Sequence, residues 1–215
     1  MLGEFDFGRR SEIGNWSARI ANMDSVPALF TIGHSNHTDE QFVQLLRQHG
    51  IDVLADVRSQ PYSKYTNQFN REDLQALLAR HRLKYVFMGQ SLGGRPEGEV
   101  YYDNEGHVLY HRVAEADFFL QGLERIQKGI ASYRVAMMCS EEDPLVCHRH
   151  RLVARVLRSR GVPIQHIRGD GRVESYEQVE PPAKQKMLFD ELEVDSWRSL
   201  LSVLPKPQPE TFLES

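Results

Sequence analysis

Five short apolar runs recur along the chain, each closing on glycine, aspartate, cysteine or another polar residue, and most are followed by a helical pattern. That alternation limits the fold more than any other feature. Segments 28–32, 53–55, 85–88, 135–138 and 164–167 are too short for buried helices and have the length and apolar character of buried strands. Between them, apolar residues return at helical spacing: Phe42, Leu45 and Leu46; Leu74, Leu77 and Leu78; Phe119, Leu123 and Ile126; Leu152, Val153 and Val156. Thr38 with Gln41 three residues on reads as a capping box, and Gly50 closes that helix. Asn70 caps the second helix, and another runs from about Cys147 to Arg160. A last helix is expected from Pro181, carrying Met187, Leu188 and Leu192. Buried strands joined by helices predict an α/β fold: a mostly parallel open sheet with helices on both faces, a Rossmann-like three-layer arrangement. Crossovers should be right-handed.

The chain has 215 residues, enough for one sizeable core. Residues 1–25 mix charge, glycine and isolated aromatics and read as an N-terminal extension, with Met23 as an alternative start. Residues 26–204 form the expected domain, and 205–215 are a proline-rich tail. The stretch from Glu97 to His111 is polar and glycine-spotted and reads as an excursion or lid, a segment that could also serve self-association into a homo-oligomer.

Charge narrows the partners. The formal net charge is -4 and the pI about 6.1, so a global basic face for nucleic acid is absent, although a local patch stays open. No apolar run reaches the ~18 residues of a membrane span, so no membrane partner is expected. Cys139 and Cys147 are the two cysteines and do not make a secreted disulfide framework. A reducing, cytoplasmic setting with both thiols free is expected.

The unusual polar residues follow the strands. Gly33, His34 and Ser35 come after the first run, Asp56 and Arg58 after the second, and Gly93, Gly94 and Arg95 after the third. Cys139, Ser140 and Glu141 end the fourth, and Gly169-Asp170-Gly171 follows the fifth. In an open parallel sheet these loops leave from one edge, where ligands of such folds bind. Turn chemistry explains any one of these loops taken alone; the set of five points to a site. Within the segment 139–151, Cys147, His148 and Arg149 sit at an expected helix start, an end that attracts anions. Arg149 offers a planar fork for phosphate or carboxylate, and His148 a proton near neutral pH.

The ordered segments TIGHS, DVR-x-x-P-x-S, LGG-R-P and MC-x-E followed by CHR resemble the family described as domain of unknown function 488, over roughly Leu29 to Pro182. The resemblance implies an α/β fold, a bacterial or archaeal cytoplasmic setting and a loose link with DNA repair, without assigning a reaction. Carried over position by position, the motif residues are His34, Ser35, Asp56, Arg58, Pro61, Ser63, Gly93, Gly94, Cys139, Glu141, Cys147, His148 and Arg149.

Three rival constellations fare poorly on spacing. Structural zinc usually shows ligands paired as C-x₂₋₄-C, which is missing, so His34, His37, Cys139, Cys147 and His148 are assigned no metal. A phosphatase loop after Cys139 would carry donors for phosphate, but Glu141, Glu142 and Asp143 repel it. No G-x-G-x-x-G opens a helix after the first strand, and no cofactor is expected. The expected function is therefore a hydrolase or transferase acting on a phosphate- or carboxylate-bearing substrate, a nucleotide or nucleic-acid component. Asp56, Glu141, His148, His34 and Cys139 are the catalytic candidates. Arg58, Ser35, Ser63, Gly93, Gly94, Cys147 and Arg149 are the binding candidates. The alternative is a non-catalytic nucleic-acid-binding module gripping a strand with Tyr62, Tyr65, Tyr101 and Tyr102.

Overall fold

A computed structural model of the chain describes residues 26–180 and 197–203. The extension, the helix expected from Pro181 and the tail expected from 205 lie outside the described residues. The strands are β1 (Leu29–Gly33), β2 (Val53–Asp56), β3 (Lys84–Phe87), β4 (Val135–Cys139), β5 (Ile164–Ile167) and β6 (Val173–Ser175). They form one six-stranded sheet in the order β3-β2-β4-β1-β5-β6. All pairings are parallel except β5 with β6. The strand β6 has no counterpart among the expected elements. It arises because Gly169-Asp170-Gly171 makes a hairpin turn, with Arg168 N–H donating to the Arg172 carbonyl (2.9 Å) and Gly171 at φ 85°.

The helices are α1 (Asp39–Gln48), α2 (Arg71–Arg80), α3 (Gly89–Leu92), α4 (Tyr110–Ala114), α5 (Asp117–Ile130), α6 (Arg155–Ser159) and α7 (Tyr176–Val179). Thr38 and Gln41 complete the capping box of α1 in both directions. The strand pleat sorts side chains into two cores. Phe30, Ile32, Leu54, Ala136 and Met138 pack with α1 and α2 on one face. Leu29, Val53, Ala55, Val135 and Met137 pack with α5 and the helix after β4 on the other. This is the three-layer α/β arrangement. Among the described residues no helix is long and apolar enough to cross a membrane.

Two further features depart from the sequence reading. The segment 97–111 is anchored at its end: Val108, Leu109 and Tyr110 are buried. Tyr110 N–H donates to the Trp197 carbonyl (2.9 Å), and Val108 N–H donates to Ser199 Oγ (2.9 Å), tying it to segment 197–203. Its polar residues flank a few apolar ones whose burial outweighs them. The helix after Cys147 opens as a wide π-helical turn over Arg149–Ala154 before continuing as α6. Such turns gather at functional sites.

Candidate functional site

The strand β4 lies between β1 and β2, and its connecting helix covers the opposite face from α1 and α2. A crevice therefore opens at its carboxyl end, the usual binding position in such sheets. Cys139 ends β4 on the face covered by the helix that begins after Cys147. Pleat parity and helix start thus bring together two sulfurs eight residues apart in sequence. Both thiols are free.

His148 joins them. Its Nδ1 lies 3.6 Å from Cys139 Sγ and 3.9 Å from Cys147 Sγ. Its Nε2 donates to the carbonyls of Val57 (3.1 Å) and Leu92 (3.2 Å), so the ring cannot turn its other nitrogen away from the sulfurs. Burial opposes ionisation of Cys147, but the Cys139 S–H, the Arg149 charge and His148 outweigh it and hold the Cys147 thiol well below its usual value. The Cys139 thiol is pushed up, first by its hydrogen bond to Cys147 and then by burial. Burial disfavours the His148 imidazolium, yet the Cys147 sulfur raises its pKa overall. Partial burial and then the Cys147 charge raise the Glu141 carboxyl.

Above this cluster is a cavity of about 380 Å³. Cys139, Glu141 and His148 line it together with Arg58, Gly94 and Arg95. Backbone space is tight here. A Cβ at Gly33 would fall 1.9 Å from the Glu141 carbonyl oxygen, and one at Gly94 would fall 2.8 Å from Cγ of His148. Gly94→Ala should therefore cost about 1–3 kcal/mol, because the pinned imidazole has to shift. The urea midpoint measures this, and a loss below about 0.5 kcal/mol, the range of a neutral surface change, would show that the ring moves freely.

Asp56, Arg58 and His34 form a second network beside the thiols. Arg58 donates Nε to Asp56 Oδ1 (2.9 Å) and NH2 to Asp56 Oδ2 (2.7 Å) and the Phe69 carbonyl (2.8 Å). Its NH1 faces His34 Nε2 at 3.2 Å. Asp56 also accepts from the Tyr85 hydroxyl (2.8 Å) and is fully buried. His34 directs Nδ1 to the Ser35 carbonyl (2.9 Å) and stacks on Phe69. Burial first, then Arg58, lowers its pKa to about 4. With both nitrogens engaged and the ring neutral, His34 accepts from Arg58 rather than exchanging protons with the cavity. Asp56, expected at a reacting centre, is sealed beneath Arg58.

Arg149 departs furthest from expectation. Its guanidinium donates to the carbonyls of Glu141 and Glu142 (2.7 Å for the latter) and its Nε to Thr31 Oγ1 (3.4 Å). It is 1% exposed and holds the loop after β4 in place, rather than facing an anion. The helix-start N–H groups are also committed: Arg149 N–H donates to Cys147 Sγ (3.4 Å), and those of His150 and Arg151 to the Cys147 carbonyl. Ser63 Oγ accepts the Tyr65 N–H (3.1 Å) in a turn. Ser35, at φ 46°, pairs its N–H with the Ser140 carbonyl (2.9 Å). Gly93 and Gly94 act by close approach.

The sequence reading left Arg95, Tyr110 and segment 199–203 out of the candidate site, though all line the cavity. Arg95 had a local signal, its place in the LGGRP motif. Its backbone N–H is held by Ser59 Oγ (2.9 Å), while its exposed guanidinium has no hydrogen-bond partner among the described residues. Tyr110 and segment 199–203 arrive only through tertiary packing.

No curated protein and no solved structure matches the chain. The family model described as domain of unknown function DUF488 matches residues 38–157, more than half the chain, and spans β2, β3, β4 and the thiol–imidazole cluster. The chain belongs to that family.

Proposed function

We propose that the chain is an enzyme, a hydrolase or transferase, whose substrate carries a phosphate or carboxylate and is a nucleotide or nucleic-acid component. The observation that supports this most is the meeting of Glu141, Cys139 and His148 at the floor of a cavity rimmed by Arg95. A carboxyl whose pKa is raised by burial and the Cys147 charge, beside a thiol and an imidazole, suits proton transfer to or from a substrate. Arg95 supplies the uncommitted planar fork for the anion, taking the part first assigned to Arg149.

A thermal-shift screen of nucleotides, sugar phosphates and short DNA, followed by turnover assays on each hit, tests the reading. A hit held at about 100 times its Kd stabilises by ~2.7 kcal/mol, or roughly 5–10 °C in a chain of this size. Arg95→Ala should weaken that binding at least ~10-fold. Glu141→Gln should lower kcat by ~10²–10⁴ and leave binding near its original value. The exposed Tyr62 and Tyr65 favour a second outcome, nucleic-acid binding without turnover. Affinity for short DNA that falls steeply with salt, with no reaction on any hit, would replace the enzyme by a binding module.

A further inference from the structure

We propose that Cys139, Cys147 and His148 form a metal site of the zinc class, with an open fourth position facing the cavity. The Sγ atoms of the two cysteines and Nδ1 of the histidine all lie within 4.8 Å of one another. A tetrahedron built on Zn–S of about 2.3 Å and Zn–N of about 2.0–2.1 Å has S···N edges near ~3.6 Å. The observed separations from Nδ1 are 3.6 and 3.9 Å, so the ligands already stand close to bonding positions.

Support behind the ligands points the same way. A metal-bound histidine normally donates its other ring N–H to a carbonyl or carboxylate, which sets the tautomer and the ring plane. His148 does this twice, through Nε2 to the Val57 and Leu92 carbonyls. The Cys147 sulfur accepts a backbone N–H from Arg149, as ligand sulfurs commonly do. The ligands sit on rigid elements, the last residue of β4 and the start of the following helix. Two thiolates and an imidazole are a soft set that selects zinc over magnesium or calcium.

Three protein ligands and one open position are the pattern of a catalytic rather than a structural zinc. The open position faces the cavity that Cys139, Glu141 and His148 line, with the Glu141 carboxyl beside it to accept a proton from a bound water. Loading balances simply: the divalent ion enters, each thiol that still holds a proton releases it, and no oxidant or reductant takes part. Metal binding goes beyond the proposed reaction and stands or falls whatever the substrate is.

The test uses the full chain, purified under reducing conditions, stripped by chelator and titrated with zinc against a chromogenic competitor. The expected result is one zinc per chain, with Cys139→Ser, Cys147→Ser and His148→Ala each weakening it by at least ~100-fold. Since such variants can also unfold, the unaltered protein carries a second reading. Cobalt should produce a near-ultraviolet sulfur-to-metal charge-transfer band, and zinc but not magnesium should raise Tm. Two thiols that react fully with a thiol reagent at saturating zinc, no cobalt band and no Tm shift would overturn the site. An intramolecular Cys139–Cys147 disulfide that forms readily while zinc does not bind would overturn it in favour of a redox pair.

Discussion

Arg149→Ala should destabilise the protein by about 3–5 kcal/mol, a large share of the ~5–15 kcal/mol that holds a domain together. Among the described residues Arg149 has the largest fully buried side chain, and its guanidinium bonds the carbonyls of Glu141 and Glu142 and the hydroxyl of Thr31. Removing it leaves those carbonyls without donors, at ~1–3 kcal/mol each, and leaves a cavity under the sheet edge. Arg149→Lys should recover only part of the loss, since one ammonium cannot span both carbonyls in the fork geometry. Denaturant unfolding of the three proteins measures both effects. If Arg149→Ala changed stability by less than 1 kcal/mol while substrate affinity collapsed, the arginine would belong at the anion after all.

Acid should unfold the protein well before its carboxylates are all protonated. His34 is held at about 4 and His166 at about 3, in each case first by burial. Next in weight comes Arg58 for His34 and His150 for His166. His166 sits in a buried chain in which Glu180 takes a bond from His150 (3.0 Å), His150 meets His166 (3.1 Å) and His166 meets Thr31 (2.7 Å). The folded state thus keeps both rings neutral, while the unfolded chain protonates them near 6.5. A depressed folded pKa means the contribution is intact above pH 6.5 and is lost as pH falls towards 4 for His34 and 3 for His166. Each ring contributes a slope of about 1.4 kcal/mol per pH unit, so lowering the pH to 4.5 removes on the order of 5 kcal/mol. Glu141 opposes this, because its raised pKa favours the protonated folded form as pH falls. Urea midpoints across that range check the slope, and His166→Gln should flatten it by about one histidine's share. A stability that stays level from pH 6.5 to 4.5 would mean that the rings are not kept neutral.

Local sequence determined the layers. Apolar runs of three to five residues, Thr38 with Gln41, and the leucine spacing of α2 are short-range signals, and each survives in the structure because burial and backbone bonding act on neighbours along the chain. Sequence also placed the polar motifs at the carboxyl ends of the parallel strands, which follows from strand direction alone. Only tertiary structure decided what each motif residue does there. A guanidinium reads the same in sequence whether it meets solvent or two carbonyls, and packing turned Arg149 inward while Arg95 stayed open. The ligand-spacing pattern for zinc gave no sign that Cys139 and Cys147 meet, because it assumes one local turn. Cys147 and His148 are neighbours at the helix start, and packing of that helix on the sheet rather than chain spacing brings the Cys139 sulfur, at the end of β4, to them. Segment 97–111 was misjudged for a related reason. Its polar residues outnumber its apolar ones, but Val108, Leu109 and Tyr110 are buried together, and that short run is enough to hold the end of the segment down while Val100 stays exposed.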